Sequence, residues 1–300
     1  MRVFKILLVT ASLPLIYLAV LFFEMSLQFN GQTVFDLLTQ RKHIEANFDG
    51  FDLDTEPGEV VFFGSCDFQE LFDEQIWKRS GFVPGKSITD AQTPVNSYFQ
   101  LRSRLRKSPA PRLLVYLLDL DDFNFSGAFN FYLFAQNQPP DLRLVEQAIS
   151  MRDIRMVNYL ATRGMEELGL VRKRSAAPRD GASDGPEALP RPATRIPVLR
   201  ERHANIAVQK DYLRRFVQLA NRAGVPLMIV LNPARLPDNP ELSRYVQELR
   251  SRYAFELVQF SDPLAVEDGG ELSEQGQATI RAFNTRLIER ARIVLEVAGS

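Results

Sequence analysis

The stretch Glu59-Val60-Val61-Phe62-Phe63-Gly64-Ser65-Cys66-Asp67 decides the fold. Val60 to Phe63 is a short run of branched and aromatic side chains, the composition of a buried strand, and Gly64 ends it. Phe68, Leu71, Phe72 and Ile76 then recur at helical spacing. The reading is strand, tight turn, helix. The same apolar runs return at 112–118, 225–231 and 255–260, separated by helical periodicity at about 94–107, 201–223, 241–253 and 274–297. Strands alternating with helices predict a parallel sheet covered by helices. In such sheets ligands bind in the loops beyond the carboxyl ends of the strands.

Two segments stand apart from this alternation. Between 172 and 199, Pro178, Pro186, Pro190, Pro192 and Pro197 sit among Arg, Ala, Gly, Asp and Ser, with no apolar period. This is read as a flexible insertion within one domain, with a true boundary between two domains as the alternative. At the other end, residues 6–23 form 18 positions without a charge, about 27 Å as a helix at about 1.5 Å per residue. Arg2 and Lys5 precede the run and Glu24 follows it, a bias that keeps the N-terminus cytoplasmic and the rest outside. An uncleaved anchor over 1–25 is the expectation, and a cleaved signal peptide the alternative. Residues 26–57 then read as a juxtamembrane connector and 58–300 as the domain proper.

Composition excludes several function classes. With 36 Lys+Arg against 37 Asp+Glu, the formal net charge of -1 offers no footprint for a phosphate backbone, so no nucleic-acid partner is expected. The single cysteine, Cys66, rules out an intramolecular disulfide, and two histidines, His43 and His203, are too few for a zinc cluster. No metal and no cofactor are expected.

Two loops at predicted strand ends hold the chemistry-bearing residues. Gly64-Ser65-Cys66-Asp67 follows the first core strand, where a small nucleophile would project into the crevice. Near the C-terminus, Phe260-Ser261-Asp262-Pro263 leads to Asp268-Gly269-Gly270-Glu271-Leu272-Ser273-Glu274-Gln275-Gly276 and a long last helix. Together these segments resemble the SGNH or GDSL hydrolase superfamily over roughly 58–297. In that family a G-D-S or G-S-S turn bears the nucleophilic serine, and D-x-x-H followed by L-S-x-x-G carries the acid and base. The resemblance places Cys66 at the nucleophile, Asp268 at the acid and Glu271 at the base. The loops at 89–92 and 119–122 stand where the family keeps its oxyanion glycine and asparagine, and they hold other residues. An anchored domain of this kind is similar to the branch that includes alginate acetylation proteins and the D-alanyl transfer protein of teichoic acid synthesis. That likeness implies a membrane-bound O-acyltransferase and a surface polysaccharide as partners. The expected fold is α/β, a flavodoxin-like three-layer sandwich around a mainly parallel sheet, plus one N-terminal transmembrane helix.

The changed residues alter the chemistry. A serine nucleophile needs a base with a pKa near neutrality, and imidazole supplies it. With ordinary values of about 8.5 for a thiol and about 4.3 for a glutamate, moving the proton from Cys66 to Glu271 is uphill by roughly 4 units, on the order of 6 kcal/mol. Carboxylates at Asp67, Asp268 and Glu271 raise the thiol pKa, while a helix N-terminus lowers it. His203 lies in the charged run Arg200-Glu201-Arg202-His203 and reads as a solvated residue, as does His43 in the connector.

Ser65, Asp67, Asp119, Asp121, Asp122 and Phe123 are the candidate ligand-binding residues. Asp121 and Asp122 are also a short acidic pair of the kind that binds a cation, a weak signal by itself. Phe123 opens an aromatic-rich stretch, reaching Tyr132, that either stacks on sugar rings or packs as a lid. For Cys66 the competing readings are an acyl-accepting thiol and a small residue packed at a turn; for Asp268 and Glu271 they are pocket lining and a capping or solvated role. The functional expectation is a periplasmic or extracellular accessory or binding domain, catalytically degenerate, in surface-polysaccharide O-acylation or export. The alternatives are an acyltransferase or esterase using Cys66 as a thioester-forming nucleophile, and a purely structural assembly protein.

Overall fold

The apolar run at 60–65 forms the first strand of a five-stranded sheet. The computed structural model of the chain describes residues 12, 15–20, 22–23, 28–29, 32–33, 59–65, 71–89, 92–124, 127, 131, 135, 141–152, 154–170, 205–231, 240–260 and 274–299. The strands are β1 (Val60–Ser65), β2 (Pro84–Thr89), β3 (Leu113–Leu118), β4 (Leu227–Leu231) and β5 (Glu256–Gln259). Their order in the sheet is β2-β1-β3-β4-β5, and every pairing is parallel. This is the doubly wound order of a flavodoxin-like sheet, whose chain reverses its direction of travel between β1 and β3.

Alternate strand side chains feed two separate cores. Val60, Phe62, Val115, Leu117 and Val230 pack on Trp77 of α1 (Glu74–Arg79) and on Phe283 and Leu287 of the last helix, Glu274–Gly299. Val61, Phe63, Tyr116 and Ile229 face the opposite way, against α2 (Pro94–Lys107), Phe216 of Asn205–Arg222, and Val246 of Pro240–Arg252. The layers are therefore helix, sheet, helix. A strand such as β3, with all six residues buried, has no solvent face and needs no polar alternation.

The chain divides into two compact units, one of residues 1–49 with 138–200 and one of 50–137 with 201–300. The sheet belongs wholly to the second. In the first, α3 (Leu142–Ser150) and α4 (Ile154–Glu167) form a helical hairpin, and Gln28–Phe29 pairs antiparallel with Gln32–Thr33. The remaining helices of the second unit are α5 (Asn205–Arg222), α6 (Pro240–Arg252) and α7 (Glu274–Gly299). Among the described residues no helix is long and apolar enough to cross a membrane. Half of the charge-free run (6–11, 13–14 and 21) and the insertion at 172–199 lie outside the described residues.

Two constraints fix the packing of this unit, one between strands and one between helical segments. Gly64, at φ +155°, sits so close to β3 that a Cβ there would lie 2.5 Å from the carbonyl oxygen of Leu117 and 2.8 Å from its Cβ. Only a residue without a side chain fits. The second constraint is Asn284 of α7, fully buried, whose amide makes four hydrogen bonds. Its Oδ1 accepts from Trp77 Nε1 at 2.9 Å and from the Asp73 backbone N–H at 3.2 Å, and its Nδ2 donates to the carbonyls of Leu71 and Ile280, each at 2.7 Å. The last helix is thereby bound to the segment that enters α1. That segment departs from the sequence expectation, because Leu71 and Phe72 are buried but not helical and the helix opens only at Glu74. Asp73 stops it there, its carboxylate capping the N–H groups of Gln75 at 2.8 Å and Ile76 at 3.2 Å.

Gly64→Ala is expected to lower stability by about 3 kcal/mol through overpacking and backbone strain, measured as an earlier urea midpoint; an unchanged midpoint would show that β1 and β3 can part freely. Asn284→Leu keeps the volume but strands the indole N–H and the Leu71 carbonyl in the core, at about 1–3 kcal/mol each. An equal midpoint for Asn284→Leu and the native chain would remove the clamp from this account.

Candidate functional site

The strand order reverses between β1 and β3, the place where open α/β sheets carry their ligand crevice, and the described residues near the carboxyl ends of these strands are unusually polar for their burial. Ser87 of β2, Gln92 and Thr93 before α2, Asn96, Ser97 and Gln100 on α2, and Asp119 and Asp122 after β3 are all buried. Asn96, Gln100 and Arg104 recur every fourth residue on α2 and form one stripe along it, with Gln92 just ahead of the helix. Such a stripe is ordinary on a solvent face. Here each member is buried.

The stripe is tolerated because its groups bond to one another. Gln100 Oε1 accepts from Ser87 Oγ at 2.7 Å and from Gln92 Nε2 at 2.9 Å, and the same Nε2 lies 3.0 Å from Ser97 Oγ. Asn96 Nδ2 donates to the carbonyl of Gly127 at 2.9 Å and to Thr93 Oγ1 at 3.2 Å. Thr93 makes no side-chain cap to α2; instead Gln209 of α5 reaches across, its Oε1 accepting from the Val95 backbone N–H at 3.0 Å. A network of this kind holds each amide in one orientation, since any rotation strands a buried donor or acceptor.

Tyr116 of β3 lies beside Ser97 and the acidic turn. The ring is fully buried and stacks obliquely on Phe216 at 4.8 Å, and its hydroxyl has no hydrogen-bond partner among the described residues. Burial pushes the phenol well above its ordinary value; the Ser97 hydroxyl opposes the shift and the charge of Asp122 adds to it. Burial likewise lowers the Arg104 guanidinium from its ordinary value. After β3 the chain makes a tight 3-10 turn, Leu120–Asn124, closed by the Asp122 N–H to the Asp119 carbonyl at 3.2 Å.

Of the residues named from sequence, Asp119 and Asp122 fall at this turn, buried and at the carboxyl end of a central strand. Asp121 lies in the same 3-10 turn. Phe123 points into the core shared with α2 and α5, fully buried among Leu118, Leu120 and Phe216. Ser65 closes β1 in register with Thr89 of β2. Cys66, Asp67, Asp268 and Glu271 lie outside the described residues, as do His43 and His203. Among the described residues no group of three or more His, Cys, Asp or Glu side chains is placed to hold a metal ion. Sequence reading passed over Gln92, Asn96, Ser97, Gln100 and Gln209. The four-residue spacing was the available signal, but it acquires meaning only once α2 is known to be buried on that side.

No family model matches the chain, and no curated protein does. Among solved structures it is similar to a GDSL-like lipase from Bacteroides thetaiotaomicron, at 13% identity over 84% of this chain and 98% of that one, with a TM-score of 0.36.

The raised phenol pKa of Tyr116 has a definite sign in stability. The folded chain keeps the hydroxyl neutral, whereas the unfolded chain ionises it above about pH 10. Its contribution is therefore fully present below pH about 10 and falls above it. The stability difference between the native chain and Tyr116→Phe is expected to be constant up to that pH and then to move in favour of the variant by about 1.4 kcal/mol per pH unit. Urea unfolding at pH 8, 9, 10 and 11 measures this, and parallel curves throughout would place the hydroxyl in water.

Proposed function

We propose that this chain is a membrane-anchored, extracytoplasmic domain on an SGNH-hydrolase-like scaffold, serving as a binding or accessory subunit in the O-acylation or export of a cell-surface polysaccharide. The observation that carries the reading is chemical: Glu271 stands where the family motif has its imidazole base, and the two histidines of the chain, His43 and His203, fall in the connector and ahead of α5. A carboxylate of ordinary pKa is too weak a base for a thiol by roughly 4 units. The strand order supports the choice of crevice, because the turn after β1 and the acidic turn after β3 both follow strand carboxyl ends beside the reversal.

The buried stripe on α2 fits a binding role. Its amides and hydroxyls are already committed to internal partners, so the network stiffens the wall of the crevice and leaves recognition to the loops that border it. Sugar hydroxyls are the ligands that a polar border carrying the Asp119 and Asp122 carboxylates suits. Fold alone assigns no chemistry, since one scaffold serves many functions.

Cys66, two residues after Gly64 in the sequence, motivates a second reading, a thioester-forming transferase whose base comes from elsewhere. One assay separates the two. The full chain purified in detergent is tested for hydrolysis of p-nitrophenyl acetate beside Cys66→Ala and Glu271→His. The binding reading expects the native chain at the buffer rate and a gain in Glu271→His, with about 10²-fold as the lower end of what a positioned base contributes. Native turnover that disappears in Cys66→Ala would overturn it in favour of a working thiol.

A further inference from the structure

The helical hairpin of the first unit exposes an apolar stripe that its own packing does not use. On α3, Leu144, Gln147 and Ala148 are buried, followed by Met151 just beyond the helix. Leu142, Val145 and Ile149 lie at i, i+3 and i+7, on a neighbouring face, and are exposed by 86%, 41% and 62%. Arg143 and Glu146 take the remaining arc, with Arg143 paired to Asp141 at 2.9 Å. Beyond α4, Leu168 and Leu170 are exposed as well. A nine-residue helix that is apolar over more than its packed face is built for a second apolar environment.

A contact within the same unit indicates which environment. The Tyr17 hydroxyl donates to Asn158 Oδ1 of α4. Tyr17 belongs to the charge-free run 6–23, and the helical residues around it expose Leu15, Ile16, Leu18, Val20, Phe22 and Phe23. Between Tyr17 and Phe23, the outer end of that run, lie six residue steps, about 9 Å at about 1.5 Å each. If the run is in lipid, Asn158 must be at that depth too. Helices lying in the membrane interface bury their apolar face by about 5–10 Å, the same depth.

We propose that the α3–α4 hairpin is seated in the outer interface of the lipid bilayer beside the N-terminal run, with Leu142, Val145 and Ile149 immersed among the acyl chains. This rests on the reading of 6–23 as a membrane anchor. The stripe is purely aliphatic and lacks the Trp, Tyr and Arg that anchor protein interfaces, which favours lipid over a partner protein. The Tyr17–Asn158 bond is of the kind that joins helices in lipid, where an amide left unbonded is costly.

The test uses the full chain with Cys66→Ser, carrying one spin-labelled cysteine at position 142, 149, 146 or 20, in vesicles of phosphatidylethanolamine and phosphatidylglycerol. Collision with oxygen, which partitions into lipid, is compared with collision with a water-soluble nickel chelate. Labels at 142 and 149 are expected to show an oxygen-to-nickel ratio several-fold above that at 146, with 20 protected from nickel. Protection at 20 with nickel access at 142 and 149 overturns the seating while leaving the anchor in place. Nickel access at 20 overturns both. Labels at 142 and 149 shielded from both collision partners mean a protein cover, a second copy included, and overturn the proposal as well.

Discussion

The close approach of β1 and β3 at Gly64 governs the architecture of the sheet-bearing unit. No Cβ fits between that residue and the Leu117 carbonyl, so the two strands run in register until β1 ends one residue later. The strand order reverses between them, which makes their carboxyl ends the natural crevice of the sheet. A side chain at Gly64 would push the strands apart where the crevice begins. The two helical layers depend on the same pairing, because Phe62 and Phe63, on either side of β1, reach Trp77 in one core and Phe216 in the other.

Around that crevice the unit spends polarity in an unusual place. A helix buried between a sheet and a second helix normally shows apolar residues inward, yet α2 presents Asn96 and Gln100, with Gln92 just ahead of it. These groups are held by hydrogen bonds to one another, to Ser87 and to the Gly127 carbonyl. Ser87, Gln92, Ser97 and Gln100 form one buried hydrogen-bonded cluster, which holds each amide in one orientation. Asn284 does the same on the opposite face, joining the last helix to the segment before α1.

Much of the fold was legible because burial on both faces leaves a plain signature. The runs at 60–65, 113–118 and 227–231 are apolar throughout, and α2, α5, α6 and α7 keep their helical period over three turns or more. Pro84–Thr89 escaped notice since its sequence, PGKSIT, holds a proline, a glycine and a lysine; it is a strand because it lies at the sheet edge, where β1 alone supplies its hydrogen bonds. The α3–α4 hairpin escaped as well. Its period is nonetheless present in the chain, since Leu142, Leu144, Val145, Ala148 and Ile149 fall on one contiguous arc of α3.

For the site, residue identity told more than position. That residue 66 is a thiol and residue 271 a carboxylate is legible in the chain itself, since chemical type is a property of each residue alone. Alternation of strand and helix likewise followed from local periodicity, which each segment carries without its neighbours. The buried state of the α2 stripe, the Asn284 clamp and the inward turn of Phe123 are properties of pairs of segments distant in sequence. They were decided only when packing brought those segments together, because a glutamine in water and a glutamine bonded inside a core are written with the same letter.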